Sequence, residues 1–312
     1  MSKIIFFGLG SIGKRHVEIL KNNYNHELFA FRSDKNNYKN LSGVQSITSW
    51  KEFEKINPEI AFITNPTFKH IKTATECAKR GCALFIEKPL GLSTDGLSNL
   101  LKIVKSNGIS TYIAYNLRFH PIIDYIKTLT DTNKLLYIRA TCSSYLPLWR
   151  PGQNYKKSFS GKLDLGGGVI LELSHEVDYI NYLFKGIDKI TGKFSRLASV
   201  TEDSEDYADL LIELENKLKA SVHINFASHY NERRIIAEFE DFSLNCDLLT
   251  GSIDKFSKLK LIERKNLIID QNYTYEKQID YFFKFLSPNM MNNIFEATGL
   301  FNLIHNLKQG KI

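Results

Sequence analysis

The sequence has no long apolar run, no cysteine motif and no block of like charge. No stretch of the 312 residues approaches the ~18 consecutive apolar residues that a membrane-spanning helix requires. The apolar N-terminus lacks the small-residue cleavage site of a secretory signal, and a glycine-rich turn follows it at once. These absences predict a cytoplasmic protein with no membrane partner.

The scarcity of cysteine and the scatter of charge exclude two further classes of protein. The four cysteines show no C-x-x-C spacing, which favours reduced thiols over a disulfide framework or a zinc site, and we expect no metal. The formal net charge is +7, but Lys and Arg are scattered among Asn, Asp and Glu. We therefore expect no nucleic-acid partner, and the positive balance suits a pocket for phosphorylated ligands.

A glycine-rich turn near the N-terminus is the most informative feature that is present. An apolar strand at residues 4–7 leads into G-x-G-x-x-G at residues 8–13, and a helical pattern follows at residues 14–20. The first glycine of such a turn permits the bend, the second admits a pyrophosphate, and the third lets the helix pack on the strand. An ordinary strand–turn–helix is the alternative. We favour a dinucleotide site formed by Gly8, Gly10, Ser11, Ile12 and Gly13.

Strand and helix patterns alternate over the first ~115 residues, which predicts a doubly wound parallel sheet. Beyond the first strand and helix, strands are predicted at residues 27–31, 59–63, 82–86 and 111–115, and helices at residues 71–79 and 97–104. Ligands of this fold bind at the carboxyl ends of the strands. Those ends carry Gly8, Arg32, Asn65, Glu87, Lys88 and Asn116.

The second half of the chain has a different pattern. Short strands are predicted at residues 137–143, 190–197, 209–214, 218–226, 235–239 and 259–262. Three glycines at 166–168 open a predicted helix that runs to about residue 183, and two more helices are predicted near 275–286 and 294–307. Consecutive strands favour an antiparallel sheet. The fold class is therefore α/β, with a Rossmann domain over residues 1–117 and an α+β domain over residues 118–312.

The end of the second strand bears on the choice of cofactor. Arg32 and Ser33 occupy the position where NAD-binding proteins usually place an acidic residue on the ribose hydroxyls. Arginine and serine suit a 2′-phosphate, so NADP(H) is favoured over NAD(H). Asp34 is one residue away, and it keeps NAD(H) open as the alternative.

Four motifs together resemble the glucose-fructose oxidoreductase/inositol dehydrogenase (Gfo/Idh/MocA) family. They are residues 8–16, residues 64–67 with His70, Glu87-Lys88-Pro89, and residues 166–178. The resemblance implies an open antiparallel sheet in the second domain and NAD(P)-dependent hydride transfer on sugars, cyclitols or related polyols. It also implies a homo-oligomer, a dimer or tetramer formed through that sheet. Residues 145–155 resemble, more weakly, enzymes of surface-polysaccharide and nucleotide-sugar metabolism.

With the family in view, the strand ends and motifs supply the remaining cofactor-binding candidates. These residues are Arg32, Ser33, Thr64, Asn65, Pro66, His70, Glu87, Lys88 and Asn116. The family resemblance assigns Lys88 to stabilising the reacting oxygen, whereas an ordinary surface lysine beside a turn proline is the alternative. The sequence leaves open whether Pro89 follows a cis or a trans peptide bond.

His175 is the candidate acid/base, because its side chain titrates near neutrality. The alternative is a core histidine that only forms hydrogen bonds. Glu172 is the candidate orienting carboxylate. It precedes His175 by three residues, whereas the family usually has an aspartate four residues before the histidine. On a continuous helix either spacing keeps the two side chains on one face.

The substrate candidates are drawn from the loop before that helix and from two charged positions. Trp149, Arg150 and Tyr155, with Lys156 and Lys157 beside them, suit sugar stacking and anion anchoring, although a plain surface loop is an equal alternative. Further candidates are Asp178 and Arg118, and an interdomain salt bridge is the alternative for Arg118.

The leading hypothesis is therefore an NAD(P)-dependent oxidoreductase that transfers hydride between nicotinamide and a small carbohydrate, including nucleotide-linked sugars. A rival within enzymes keeps its nucleotide bound and recycles it on a second carbonyl. The alternative from another class is a sugar or dinucleotide sensor that uses the same fold without chemistry.

Overall fold

A computed structural model describes residues 1–33, 41–149, 152, 155, 159–198, 200–267 and 270–310. The chain forms two compact units. The first consists of Met1–Ala114 with Gln278–Gly299, and the second of Tyr115–Lys277 with Leu300–Ile312. Residues 278–299 thus come from the region that the sequence-based division, at residue 117, assigns to the second domain. Residues 278–299 are hydrogen-bonded to the rest of the first unit; for example, Ile113 N donates to Asn292 O at 2.9 Å.

The first unit contains a six-stranded parallel sheet. Its strands are β1 (Lys3–Phe7), β2 (Glu27–Phe31), β3 (Val44–Ile47), β4 (Ile60–Ile63), β5 (Ala83–Glu87) and β6 (Thr111–Ala114). The order is β3-β2-β1-β4-β5-β6, and every neighbouring pair is parallel. The central strands are buried on both faces, as a sheet covered on both sides requires. The prediction of a Rossmann sheet is confirmed, and the order reverses between β1 and β4.

The second unit contains an eight-stranded open sheet. Its strands are β7 (Leu135–Tyr145), β8 (Ile187–Ser195), β9 (Tyr207–Leu214), β10 (Lys219–Asn225), β11 (Ala227–Phe239), β12 (Ser243–Asp247), β13 (Ser252–Ser257) and β14 (Lys260–Asn266). The order is β14-β13-β12-β11-β7-β10-β9-β8. Among the described strands of this sheet, only β7 and β10 pair in parallel, so the sheet is mainly antiparallel, as predicted. Burial alternates along β10, which leaves one face polar.

The helices of the described residues are α1 (Ser11–Asn23), α2 (Trp50–Ile56), α3 (His70–Ala78), α4 (Leu97–Ser106), α5 (Pro121–Thr130), α6 (Val169–Glu172), α7 (His175–Phe184), α8 (Tyr273–Lys284) and α9 (Ile294–Lys308). None of them has the length and apolar character needed to cross a bilayer. The sequence analysis missed α2, α5, β3, β12 and β13. Helix α2 begins at a capping box, in which Glu52 N donates to Ser49 Oγ while Ser49 Oγ donates to the Glu52 carboxylate.

The single helix predicted from the glycine run to about residue 183 is wrong. Helix α6 ends at Glu172, and Leu173 (φ −101°, ψ 29°) and Ser174 separate it from α7. The Ser174 hydroxyl donates to Leu171 O at 2.9 Å. This side-chain bond competes with the backbone hydrogen bonds that would continue the helix. Glu172 and His175 therefore lie at the end of one helix and the start of the next, so the argument from a shared helical face does not apply.

Candidate active site

Of the three glycines in the turn of the first unit, only Gly10 has open space beside it, and this is the glycine at which a pyrophosphate would approach the backbone. A Cβ atom on Gly8 (φ +103°) would lie 2.6 Å from Thr64 O, and a Cβ on Gly13 would lie 2.3 Å from Gly8 O. Nothing lies within 4 Å of a Cβ built on Gly10. Gly10 is also the N-cap of α1, with no side chain to satisfy the free N–H groups. Those groups can therefore bind an anion.

A cavity of about 430 Å³ adjoins this turn. Its lining residues are Phe7, Gly8, Leu9, Phe31, Arg32, Ser33, Trp50, Asn65, Pro66, Lys69 and Thr73. Five of the predicted cofactor contacts are among them. The other six, Phe7, Leu9, Phe31, Trp50, Lys69 and Thr73, were missed, and Trp50 belongs to α2, which the sequence analysis did not predict. Arg32 and Lys69 supply positive charge, and no carboxylate is among the described lining residues; Asp34 lies outside the described residues.

Side chains from other elements hold the Glu87-Lys88-Pro89 turn at the end of β5. His16 of α1 is fully buried, its ring makes edge-type contacts with Phe62 and Phe85, and its Nε2 lies 2.6 Å from Glu87 Oε1. Glu87, predicted as a cofactor contact, thus has a buried partner in the protein. Lys88 is half-buried, and the Lys88–Pro89 bond is cis.

His70 connects this turn to the loop after β4. Its Nδ1 lies 2.9 Å from Pro89 O and its Nε2 lies 2.8 Å from Asn65 O. Burial lowers the pKa of His70, and a neutral imidazole donates to only one of these carbonyls at a time. Thr64 Oγ1 donates to Gly8 O at 2.5 Å and joins the same loop to the glycine turn. The ends of β1, β4 and β5 are thus connected, and Lys88 lies among them.

In the second unit, His175 is the first residue of α7 and is half-buried. Its ring meets the edge of the Tyr115 ring at a centroid distance of 5.4 Å. Tyr115 donates its hydroxyl hydrogen to Ser174 Oγ at 3.1 Å, and burial raises the pKa of that phenol, which keeps it a donor. Tyr115 therefore contacts both Ser174, in the break before α7, and the first residue of that helix.

The remaining predicted site residues of the second unit have partners within that unit. Glu172 Oε1 accepts from Ser160 Oγ at 3.1 Å, and Asn116 Nδ2 donates to Thr274 Oγ1 at 2.6 Å. Arg118 forms a fork with Asp178: Nε lies 2.9 Å from Oδ2 and Nη2 lies 2.7 Å from Oδ1. Both side chains of that fork are at most 2% exposed. This fork joins two residues that the sequence analysis proposed for substrate.

The loop proposed for sugar stacking is described only in part. Trp149 is 36% exposed, donates from Nε1 to Ser144 Oγ at 3.1 Å, and meets Phe226 edge to face. Tyr155 is half-buried. Arg150, Lys156 and Lys157 lie outside the described residues. Trp149 therefore keeps part of its ring accessible to a ligand.

The cysteines and the ionisable clusters supply no redox or metal centre in the described residues. Cys77, Cys82, Cys142 and Cys246 are buried free thiols. Burial raises the pKa of Cys82, Cys142 and Cys246 to about 12, so these thiols stay protonated at neutral pH. Within the same residues, no group of three or more His, Cys, Asp or Glu is arranged to hold a metal ion.

Comparison with known proteins decides the family. Residues 2–115 match the model of an oxidoreductase family with an NAD-binding Rossmann fold, and residues 127–244 match the Gfo/Idh/MocA C-terminal domain. The chain belongs to the Gfo/Idh/MocA family. It is thus an oxidoreductase-family protein with an NAD-binding Rossmann fold, as the four motifs predicted.

Curated proteins match part of the chain. The uncharacterised oxidoreductase YrbE of Bacillus subtilis (strain 168) is 25% identical over 69% of this chain and 64% of its own length. Inositol 2-dehydrogenase of Rhizobium meliloti (strain 1021) is 24% identical over 56% of this chain and 53% of its own length. The match thus spans less than two thirds of each of these relatives.

Solved structures resemble the fold over nearly the whole chain. Levoglucosan dehydrogenase in complex with NADH has a TM-score of 0.83 at 15% identity, covering 99% of this chain and 96% of its own. The UDP-N-acetylglucosamine 3-dehydrogenase GnnA of Acidithiobacillus ferrooxidans has a TM-score of 0.78 at 15% identity, covering 99% and 97%. At this identity the likeness establishes the shared Gfo/Idh/MocA fold.

Proposed function

We propose that this protein is an NAD(P)-dependent oxidoreductase that transfers hydride between nicotinamide and a carbohydrate hydroxyl or carbonyl. The observation that carries the proposal is the turn around Gly10. It is open above Gly10, closed to side chains at Gly8 and Gly13, and placed at uncapped helix N–H groups. These residues fit a dinucleotide, which when bound supplies the hydride acceptor or donor.

The proposed chemistry divides between two side chains. His175 would exchange the proton of the reacting hydroxyl, because an imidazole can accept and release a proton near neutral pH. Lys88 would donate a hydrogen bond to the reacting oxygen and stabilise negative charge on it. Glu172 would stabilise and orient the imidazole. Trp149 offers an accessible ring on which a sugar can stack.

For the cofactor we propose NADP(H) over NAD(H). Arg32, Ser33 and Lys69 supply two cations and a hydroxyl to the cavity beside the glycine turn, a set that suits a 2′-phosphate. Arg32→Asp and Lys69→Glu should each weaken NADPH binding more than NADH binding by at least tenfold. Equal losses for both nucleotides in a fluorescence titration would contradict this preference.

The substrate class is a small carbohydrate, and nucleotide-linked sugars are the first to test. Names of structural neighbours point that way: one acts on levoglucosan, another on UDP-N-acetylglucosamine, and a Bordetella pertussis dehydrogenase, WlbA, was solved with NADH and UDP-GlcNAcA. The surplus of positive charge is consistent with a phosphorylated substrate. We further propose a cytoplasmic homo-oligomer that associates through the open sheet.

The deciding experiment follows absorbance at the nicotinamide band while sugars and nucleotide sugars are screened with each cofactor. Once a substrate is found, His175→Ala and Lys88→Ala should each lower kcat by roughly 10²- to 10⁴-fold, with cofactor affinity retained. Unchanged turnover in both variants would overturn the proposal. Tight sugar and nucleotide binding without any turnover would instead indicate a sensor. Nicotinamide retained through purification would indicate an enzyme that recycles its own nucleotide.

A further inference from the structure

Helix α7, which begins with His175, is held by two arginines of the second unit, the buried Arg118 and the partly exposed Arg233. On one side, Arg118 forms its fork with Asp178. On the other, Arg233 of β11 places its Nε 2.9 Å from Glu176 Oε1, and the Glu176 side chain has no exposed surface. A helix of 3.6 residues per turn separates positions 176 and 178 by roughly 160° around its axis. The two arginines therefore hold the first turn from nearly opposite sides.

The segment that contains Arg118 contacts α7 over more than one helical turn. Positions 174, 178 and 182 form a stripe of α7 with a spacing of four. Tyr115 meets Ser174 through its hydroxyl, Arg118 pairs with Asp178, and the Arg118 guanidinium lies over the ring of Tyr182 at 5.1 Å. Tyr115 and Arg118, two residues of the short segment after β6, thus contact positions 174, 178 and 182 on one side of the helix.

Buried ion pairs are a costly way to hold a helix that apolar packing could also hold. Removing two charges from water costs several kcal/mol per ion, and apolar replacement of such pairs is often neutral or stabilising. What the Arg118–Asp178 fork adds is direction, since a fork fixes angle as well as distance, and the Arg233–Glu176 ion pair adds a second point of attachment. Glu176 and Asp178 are buried, and the half-buried His175 lies one position before Glu176.

We propose that Arg118 and Arg233 are positioning residues that fix the imidazole of His175 by holding Asp178 and Glu176 from two sides of α7. Arg118 and Asp178 then act through His175 rather than by touching substrate. This assignment rests on the proposed acid/base role of His175. A displacement of about 1 Å at a reacting group can cost ~10²-fold in rate, so small rotations of α7 have a measurable effect.

The test replaces whole pairs so that no buried charge is left unpaired. The two double variants are Glu176→Gln/Arg233→Met and Asp178→Asn/Arg118→Met. We expect each to lower kcat by 10- to 100-fold while KM for the sugar and Kd for the cofactor change less than threefold. Arg233→Lys keeps the charge without the planar guanidinium, so its kcat should lie between those of the wild type and the double variant.

A core variant separates positioning from loss of stability. Ile253→Ala, at a buried position of β13, should lower Tm without changing kcat at a temperature where the protein is folded. If a folded double variant keeps the wild-type kcat, or loses no more than Ile253→Ala does at equal Tm, the proposal is overturned. A rise in KM with kcat unchanged would also overturn it, in favour of direct substrate contact.

A second readout keeps this proposal separable from the proposed function. The His175 ring signals in an NMR spectrum, assigned by their loss in His175→Ala, should shift or broaden in both double variants. If His175→Ala leaves turnover intact while these signals still move in the double variants, the proposed function fails and the positioning contacts stand. If turnover depends on His175 but neither the signals nor kcat respond to the double variants, the positioning proposal alone fails.

Discussion

The two units hold their candidate catalytic residues by different means. In the first, the turn that contains Lys88 is fixed by two histidines: His16 pairs with Glu87, and His70 faces the carbonyl of Pro89. In the second, the helix that begins with His175 is fixed by arginine–carboxylate pairs. Imidazoles can satisfy buried partners while remaining neutral, whereas guanidinium groups cannot. The second unit should therefore lose more when one partner is removed.

The largest effect is expected from Arg118→Met. It leaves the Asp178 carboxylate buried without its fork, which typically costs about 3–5 kcal/mol of unfolding free energy. Urea denaturation measures the loss. Arg264→Met is the matched control, because Arg264 forms the same kind of fork with Asp254 but its side chain is 60% exposed. The control should lose far less, because an exposed ion pair contributes little to stability; equal losses would refute the comparison.

Acidification should lower the stability of the second unit through protonation of His120. Burial lowers the pKa of His120 to about 4; the carbonyl of Leu248 opposes this shift and Arg233 adds to it. A base with a depressed folded-state pKa contributes stability above its unfolded pKa of about 6.5 and loses it as pH falls toward 4. The loss by pH 4 should approach ~3 kcal/mol, at about 1.4 kcal/mol per pH unit.

The change His120→Asn provides the control for this pH dependence. His120 caps α5 by accepting from Ile122 N at 3.2 Å, and an asparagine oxygen can accept the same bond without titrating. Unfolding free energies measured from pH 7 to pH 4 should fall less steeply in the variant. Identical slopes would show that other groups account for the acid sensitivity.

A smaller effect, specific to the first unit, is expected from Gly13→Ala. The added Cβ would lie 2.3 Å from the backbone oxygen of Gly8, so backbone must shift, at a cost of about 1–3 kcal/mol and with loss of cofactor binding. Gly10→Ala meets no atom within 4 Å and should fold normally, losing cofactor affinity alone. Calorimetric melting and nucleotide titration of the two variants check this. A normal Tm and normal affinity in Gly13→Ala would contradict the proposed turn.

What the sequence could and could not predict follows from the range of the interactions. The glycine turn and the strand ends were predicted because each depends on a few consecutive residues. The break before His175 was not, because residues 169–180 keep helical spacing and the break depends on Ser174 and its neighbours. The pairing of Arg118 with Asp178 was missed for two reasons. Charged residues are seldom buried, so a buried pair was not expected, and the two residues lie 60 positions apart in the sequence.

The missed part of the cavity beside the glycine turn has a similar cause. Trp50 reaches the cavity only because β3 and α2 form between residues 44 and 56, and β3 is a four-residue strand with two buried side chains. A strand this short has too few residues for an alternating pattern to stand out. Lys69 and Thr73 lie on the turn and helix after β4, where their direction depends on tertiary packing.

The smallest effect should come from the same carboxylate-to-amide change made once in each unit. Glu87→Gln keeps shape, and its amide can donate to the imidazole of His16 if the ring adopts the other tautomer, so the loss should be at most about 1 kcal/mol. Asp178→Asn turns an N–H donor group toward the guanidinium of Arg118, which has no lone pair to accept it, and should cost several-fold more. Urea midpoints of the two variants compare them directly. A loss for Glu87→Gln as large as that for Asp178→Asn would mean that His16 and Glu87 also form an ion pair, and the two units would then hold their candidate catalytic residues by the same physics.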